Sequence, residues 1–211
     1  MNKEAEISPR LRFPDFMNIE GWNVDFLGSQ QVAKFINERV ALEQLHLDTY
    51  ISTENLLPDY GGVVMAVRLP SAGSFTTYKN GDVLISNIRP YLKKVWVADR
   101  AGATSNDVIV VRSGENVSVN FLPCVLKNDR FIDYVMTGAK GVKMPRGDIS
   151  SMKDYPVAFP GKAEQQKIAD CLSSIDELIF AEVRKLNALK AHKKGLMQQL
   201  FPAEGEIVPR L

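Results

Sequence analysis

Cysteine, histidine and long apolar runs are what this 211-residue chain has least of. Cys124 and Cys171 lie far apart and neither belongs to a Cys-x-x-Cys pair, which argues against a zinc site and against a disulfide framework. That usage fits a reducing compartment. His46 and His192 are the only histidines, and His192 falls in a basic stretch where a solvated side chain is the ordinary reading. No segment approaches the roughly 18 apolar residues needed to cross a bilayer. The opening stretch MNKEAEISPRLRFPDF lacks the continuous apolar core of a signal peptide. A soluble, cytoplasmic protein is expected. The net charge is only +1, so no global field points to nucleic acid, and any basic surface must be a local patch.

With 45% hydrophobic residues, the chain can bury one ordinary core and still spare an extended element. From Asn23 to about Phe159, β-rich runs alternate with Gly, Pro, Asn and Asp. GGVVMAVRLP, GDVLISNI, KKVWVAD, DVIVVRSG and NVSVNFLPCVL are strand candidates, while Val32 to Leu45 and Phe131 to Thr137 read as helical. The expected fold class is α+β: a mixed, strand-rich globular domain over 1–160, one long C-terminal coiled-coil α-helix over 161–202, and a tail over 203–211.

The helix expectation rests on periodicity. Gly161 to Phe201 contains no proline, and Ile168, Leu172, Ile175, Ile179, Glu182, Leu186, Leu189, Lys193, Leu196 and Leu200 follow in steps of four and three. All but Glu182 and Lys193 are apolar, which is the heptad pattern of a coiled coil. At 1.5 Å per residue such a helix is roughly 58 Å long, more than a small domain needs for its own packing. The seam therefore calls for a partner through Ile168, Leu172, Ile175, Ile179, Leu186, Leu189, Leu196 and Leu200. The cations of RKLNALKAHKKG stand near the helix C-terminus, where the dipole favours them without any ligand.

Asn87-Ile88-Arg89-Pro90-Tyr91 superficially suggests the Asn-Pro-Pro-Tyr turn with which amino-methyltransferases hold a flipped base. Arg89 stands where the first proline belongs and Ile88 is inserted, and no strand-Gly-x-Gly loop is present to cradle S-adenosylmethionine. The residues read instead as a strand running into a turn, with Pro90 setting φ. Asp129 and Asp133 stand at helical spacing, as solvated carboxylates commonly do, and Cys124 reads as a small buried hydrophobe. No nucleophile has an evident activating base.

DNA binding is better supplied. Lys79, Arg89, Lys93, Lys94 and Arg100 are interleaved with Tyr91 and Trp96, and Lys140, Lys143 and Arg146 lie in the glycine-rich GAKGVKMPRG. Lysines and arginines of this kind neutralise phosphates, while Asn and Arg side chains suit base edges. The candidate DNA-binding set is Asn87, Arg89, Tyr91, Lys93, Lys94, Lys140, Lys143 and Arg146. The plainer alternative is a solvated charged rim on an ordinary sheet.

Several blocks together resemble the DNA-specificity subunits of type I restriction-modification systems. YISTENLLPDYGG, GDVLISNIRPYLKKVWVA, ATSNDVIVVR and GVKMPRGDI are similar to the target-recognition domain of that family. EQQKIADCLSSIDELI and KKGLMQQLFP are similar to its conserved spacer helix. In the family two such domains, each followed by a helix, read the halves of a split DNA site while the helices pair antiparallel. One domain and one helix imply a half-length form completed by a second copy, and the echo of Pro9-Arg10-Leu11 in Pro209-Arg210-Leu211 fits a repeat junction. The resemblance implies no catalysis or cofactor in this chain. S-adenosylmethionine and ATP are expected only on partner modification and restriction subunits. A coiled-coil adaptor whose head binds protein is the alternative.

Overall fold

The computed structural model describes residues 7–201, so the expected tail over 203–211 and the echo at Pro209–Leu211 lie outside the described residues. The chain forms two compact units, Met1–Ala169 and Asp170–Leu211.

The first unit is built on β6 (Val83–Ser86) and β9 (Val108–Ser113), antiparallel neighbours at the centre of a four-stranded sheet. β2 (Ala33–Phe35) flanks β9, and β7 (Val95–Val97) flanks β6. Both faces of this sheet are buried, which is why DVLIS and DVIVV are nearly unbroken apolar runs rather than alternating ones. Val83, Ile85, Val95, Ile109 and Val111 point to one side. There they meet Leu122 and Leu126 of α1 (Leu122–Leu126) and Phe131, Ile132 and Val135 of α2 (Asp129–Thr137). Leu84, Trp96, Val108 and Val110 point to the other, against Ile51, Leu56 and Tyr78. Those last residues lead into the second sheet, ordered β3 (Arg39–Ala41), β5 (Ser74–Tyr78), β8 (Gly102–Thr104) and β4 (Tyr50–Ile51), in which β4 and β8 run parallel.

The unit is closed by β1 (Asn23–Phe26) and β10 (Pro156–Phe159), antiparallel with Asn23 opposite Phe159. Between α2 and β10 lies α3 (Ile149–Lys153), capped by the Asp148 carboxylate, which accepts from the Ser150 amide. α4 then runs as one helix over Lys162–Leu200. Its first turn is held in the first unit by two fully buried polar side chains. Gln165 donates from Nε2 to the carbonyls of Asn116 and Pro160, both at 2.8 Å, and accepts the Ser118 amide at 2.8 Å. Glu164 receives both Nε and Nη2 of Arg12 at 2.8 Å.

In the second unit α4 leaves Leu172, Ile175, Ile179, Leu186, Leu189, Leu196 and Leu200 exposed. Ile168, expected to begin the seam, instead lies in the first unit, partly buried against its core. Among the described residues no helix is long and apolar enough to cross a membrane.

The α+β class, strand-rich with a long C-terminal helix, is as expected from the sequence, and several local readings are corrected. Val32 to Leu45 forms β2, β3 and a 3-10 turn at Leu42–Gln44 rather than a helix. Its apolar residues satisfied either period, and pairing with β9 and β5 decided between them. GGVVMAVRLP forms no strand, only one bridge between Leu56 and Val63, and Met65 and Val67 lie exposed. NVSVNFLPCVL leads into α1, whose first turn tolerates Pro123 because that position needs no amide hydrogen. Trp96 is a core side chain packed edge-on against Tyr78 rather than an aromatic displayed among cations.

Truncating Leu84 or Ile85 to Ala should each lower stability by about 2–5 kcal/mol, because the two neighbours fill opposite cores; urea denaturation checks both. Tyr78 is 1% exposed and donates its hydroxyl to the Thr49 carbonyl at 2.8 Å. Burial pushes its pKa up to about 12, against the opposing pull of Arg100. The unfolded chain ionises near pH 10 while the folded protein keeps its proton. The contribution of Tyr78 to stability should therefore be unchanged below pH 10 and be lost between about 10 and 12. Tyr78→Phe should abolish that part of the alkaline loss in denaturation curves taken across the window.

Candidate nucleic-acid interface

At the end of β6 the chain leaves a doubly buried sheet and must find new partners for its backbone. Asn87 donates its amide to the Asp107 carbonyl at 2.8 Å and accepts the Gly147 amide at 3.0 Å. Arg89 donates its amide to the Pro145 carbonyl at 2.8 Å. Lys140 and Arg146 exchange amide-to-carbonyl bonds, both at 2.9 Å, closing a hairpin whose tip is Gly141 to Pro145. These bonds bring together the two cationic clusters that are some fifty residues apart in sequence. Gly147 leaves room for the approach: a Cβ there would lie 2.4 Å from Met152 Cε and 2.8 Å from Asn87 Oδ1, so those buried side chains would have to shift.

Arg89 and Lys93 bracket a 3-10 turn, Pro90–Leu92, and both are left-handed, with φ of 54° and 52°. The facing turn contributes Asp59 and Tyr60, also left-handed at 51° and 59°, whose amides donate to the carbonyls of Leu92 and Lys93 at 3.0 Å. Four non-glycine residues in this region are costly, and such strain gathers where a surface is held for use.

The charges are mostly paired. Arg146 binds Asp107 at 2.8 Å, Lys140 approaches Asp148 at 3.7 Å and Lys93 binds Asp129 at 2.7 Å. The Asp129 carboxylate, as hydrogen-bond acceptor and as charge, holds the Lys93 ammonium above its usual pKa. Lys94 donates to the Thr53 carbonyl at 2.7 Å. Arg89 and Lys143 are exposed and have no carboxylate partner among the described residues. Beside Asp107 opens a polar cleft of about 540 Å³, lined among others by Tyr50, Asn55, Arg68 and Ser105.

Of the predicted set, Arg89, Tyr91, Lys140, Lys143 and Arg146 are exposed around this strand end, and Lys93 and Lys94 are half-buried beside it. Asn87 is not displayed. Its side chain is 6% exposed, with Oδ1 lacking a hydrogen-bond partner, so in this conformation it cannot reach a base edge. Lys79 and Arg100 stand at the opposite end of the β6–β7 pair, where Arg100 lies 5.3 Å over the Trp96 ring. Sequence reasoning passed over Val142 and Met144, the exposed apolar residues of the hairpin tip, although Gly-Val-Lys-Met-Pro spells a turn with apolar side chains inside a basic cluster. Among the described residues no three metal-binding side chains gather.

The chain is similar to the type I restriction enzyme EcoDI specificity subunit of Escherichia coli, with 23% identity over 124 residues covering 59% of this chain and 28% of that protein. Its fold matches the HsdS subunit from Thermoanaerobacter tengcongensis with a TM-score of 0.60 and 19% identity, over 89% of this chain and 51% of that one. The type I restriction-modification S subunit from M. genitalium gives 0.56 and 20%, over 89% and 48%. The chain thus spans about half the length of these solved relatives, and less of the curated one. The family model described as type I restriction modification DNA specificity domain matches residues 65–191, a span that takes in β6, the strained Arg89–Lys93 turn, the hairpin and most of α4. With more than half of its residues so matched, the chain belongs to the family of type I restriction-modification DNA-specificity subunits.

Proposed function

We propose that this chain is the sequence-reading component of a type I restriction-modification complex, in which its globular unit (1–160) recognises one half of a bipartite DNA site. The observation that carries the reading is the convergence of Arg89, Lys140, Lys143 and Arg146 on one strand end, through backbone bonds between Asn87–Arg89 and Pro145–Gly147. Lys140, Lys143 and Arg146 bind phosphates, with Lys93 and Lys94 as flanking cations. Arg89 has the fork that pairs with guanine, and Tyr91 lies beside it. Asn87 positions the hairpin. The chain has no catalytic role: modification subunits using S-adenosylmethionine and restriction subunits using ATP assemble on it in the cytoplasm.

The spacer helix (161–202) pairs two copies antiparallel through Leu172, Ile175, Ile179, Leu186, Leu189, Leu196 and Leu200. The exposed apolar seam supports this, since each large side chain gains roughly 1.5–3 kcal/mol when fully buried. Symmetry then demands two identical half-sites, inverted about a gap.

Fluorescence anisotropy with duplex DNA tests the reading, and binding should weaken steeply from low to moderate salt. Lys143→Ala and Arg146→Ala should weaken all duplexes alike and each reduce the salt slope by about 1, while Arg89→Ala should cost about 1–3 kcal/mol and relax preference at one position. Binding indifferent to salt would instead fit a coiled-coil adaptor whose head holds protein. In light scattering, wild type should be dimeric at tens of micromolar and the Ile175→Asp, Leu186→Asp double variant monomeric. A monomeric wild type removes the homodimer.

A further inference from the structure

We propose that Val142, at the hairpin tip, is a specificity-determining residue that enters the major groove and reads the 5-methyl group of thymine. The inference deepens the DNA reading above and rests on it. Val142 is fully exposed, at 102% of its reference area, and Met144 two residues on is 53% exposed. The tip cannot retract beneath the surface, because its base is fixed on both sides. Lys140 and Arg146 are bonded to each other, Pro145 is tied to Arg89, and Gly147 is tied to Asn87. Gly141, with φ of 95°, provides the left-handed bend that turns the chain at the tip.

The tip therefore presents an apolar side chain between cations. Lys140, Lys143 and Arg146 flank Val142 and are all exposed. Phosphates on either side of a groove would be met by those cations while the valine faces the groove floor. The width of the element selects the groove. Two bonded strands are about 4.5–5.5 Å apart between Cα atoms, before side chains are added. The major groove, about 12 Å wide, admits such a ribbon, whereas the minor groove is about 6 Å wide. On the major-groove floor the apolar feature is the thymine methyl, and a side chain without hydrogen-bonding atoms distinguishes a base by that group. Arg89, tied through its amide to the same hairpin, stands ready for the polar edge of a neighbouring pair.

The test uses the full chain and two random-sequence duplex pools, one containing thymine and one with uracil in every thymine position. Selection with the wild type from the thymine pool yields a motif, and the selected duplex is then remade with uracil. Removing one buried methyl should weaken wild-type binding about fourfold. Val142→Ser should bind both versions equally while keeping the wild-type salt dependence, and Val142→Ile should keep the preference for thymine. Equal binding of the two duplexes by the wild type, or an unchanged thymine preference in Val142→Ser, overturns the proposal and leaves the DNA reading intact. A selected motif lacking thymine does the same. Failure to enrich any sequence in either pool defeats the DNA reading, and the proposal with it.

Discussion

Burial of β6 and β9 on both faces is the constraint from which the rest of the first unit follows. A strand covered on both sides cannot hold unpaired polar groups without a desolvation cost, so its interior is apolar and polar chemistry is displaced to its ends. Each end of β6 solves the problem differently. At the start, Asp82 is 1% exposed but meets Arg112 through two bonds, at 2.7 and 2.8 Å, and accepts the Lys79 amide at 2.7 Å. That end is satisfied and closed. At the finish, Asn87 uses its backbone to hold Asp107 and Gly147, and the chain emerges at Arg89 beside the hairpin. The open end is where the proposed DNA face lies.

A second constraint lies at the start of α4. Glu164 and Gln165 are buried within the first unit, where their side chains bond Arg12, Trp22, Asn116, Ser118 and Pro160. Removing either side chain would leave buried groups unpaired, the situation in which single hydrogen bonds matter most. These contacts fix the backbone of the first helical turn within the first unit. The same residues explain why Ile168 is unavailable to the seam: it lies one turn on from Glu164, on the part of α4 that belongs to the first core.

How legible these features were in the sequence depended on how local their causes are. α4 was readable because its periodicity repeats over many turns, and β6, β7 and β9 because double burial leaves continuous apolar runs. β2 and β3 were misread because a few apolar residues fit either period, and only β9 and β5, far along the chain, select the strand. β1, β5 and β8 carried little signal: GAT and SFTTY become strands through their neighbours. In the candidate site the cations were found by residue type, but their meeting was not. It depends on bonds between Asn87–Arg89 and Pro145–Gly147, and no sequence pattern announces them. The burial of Asn87 was hidden for the same reason, since a polar side chain next to a basic residue gives no sign that it faces inward.

The pairing of charges also reconciles a nearly neutral chain with a DNA-binding role. Arg146, Lys140 and Lys93 each have a carboxylate close by, so in the free protein part of the positive charge of the proposed face is offset, while Arg89, Lys94 and Lys143 have no carboxylate partner among the described residues. On the proposed reading, phosphate would compete with Asp107, Asp148 and Asp129 for these side chains. Exposed ion pairs contribute little, roughly 0–1 kcal/mol, so the exchange costs little for Lys93 and Lys140. Arg146 is different, because its partner Asp107 also carries the backbone carbonyl that holds Asn87. Moving the guanidinium to a phosphate would free the Asp107 carboxylate beside the polar cleft while leaving the main-chain bonds of the hairpin in place. The scaffold and the charges are thus separable: backbone hydrogen bonds fix where the hairpin stands, and the side-chain ion pairs are left free to exchange.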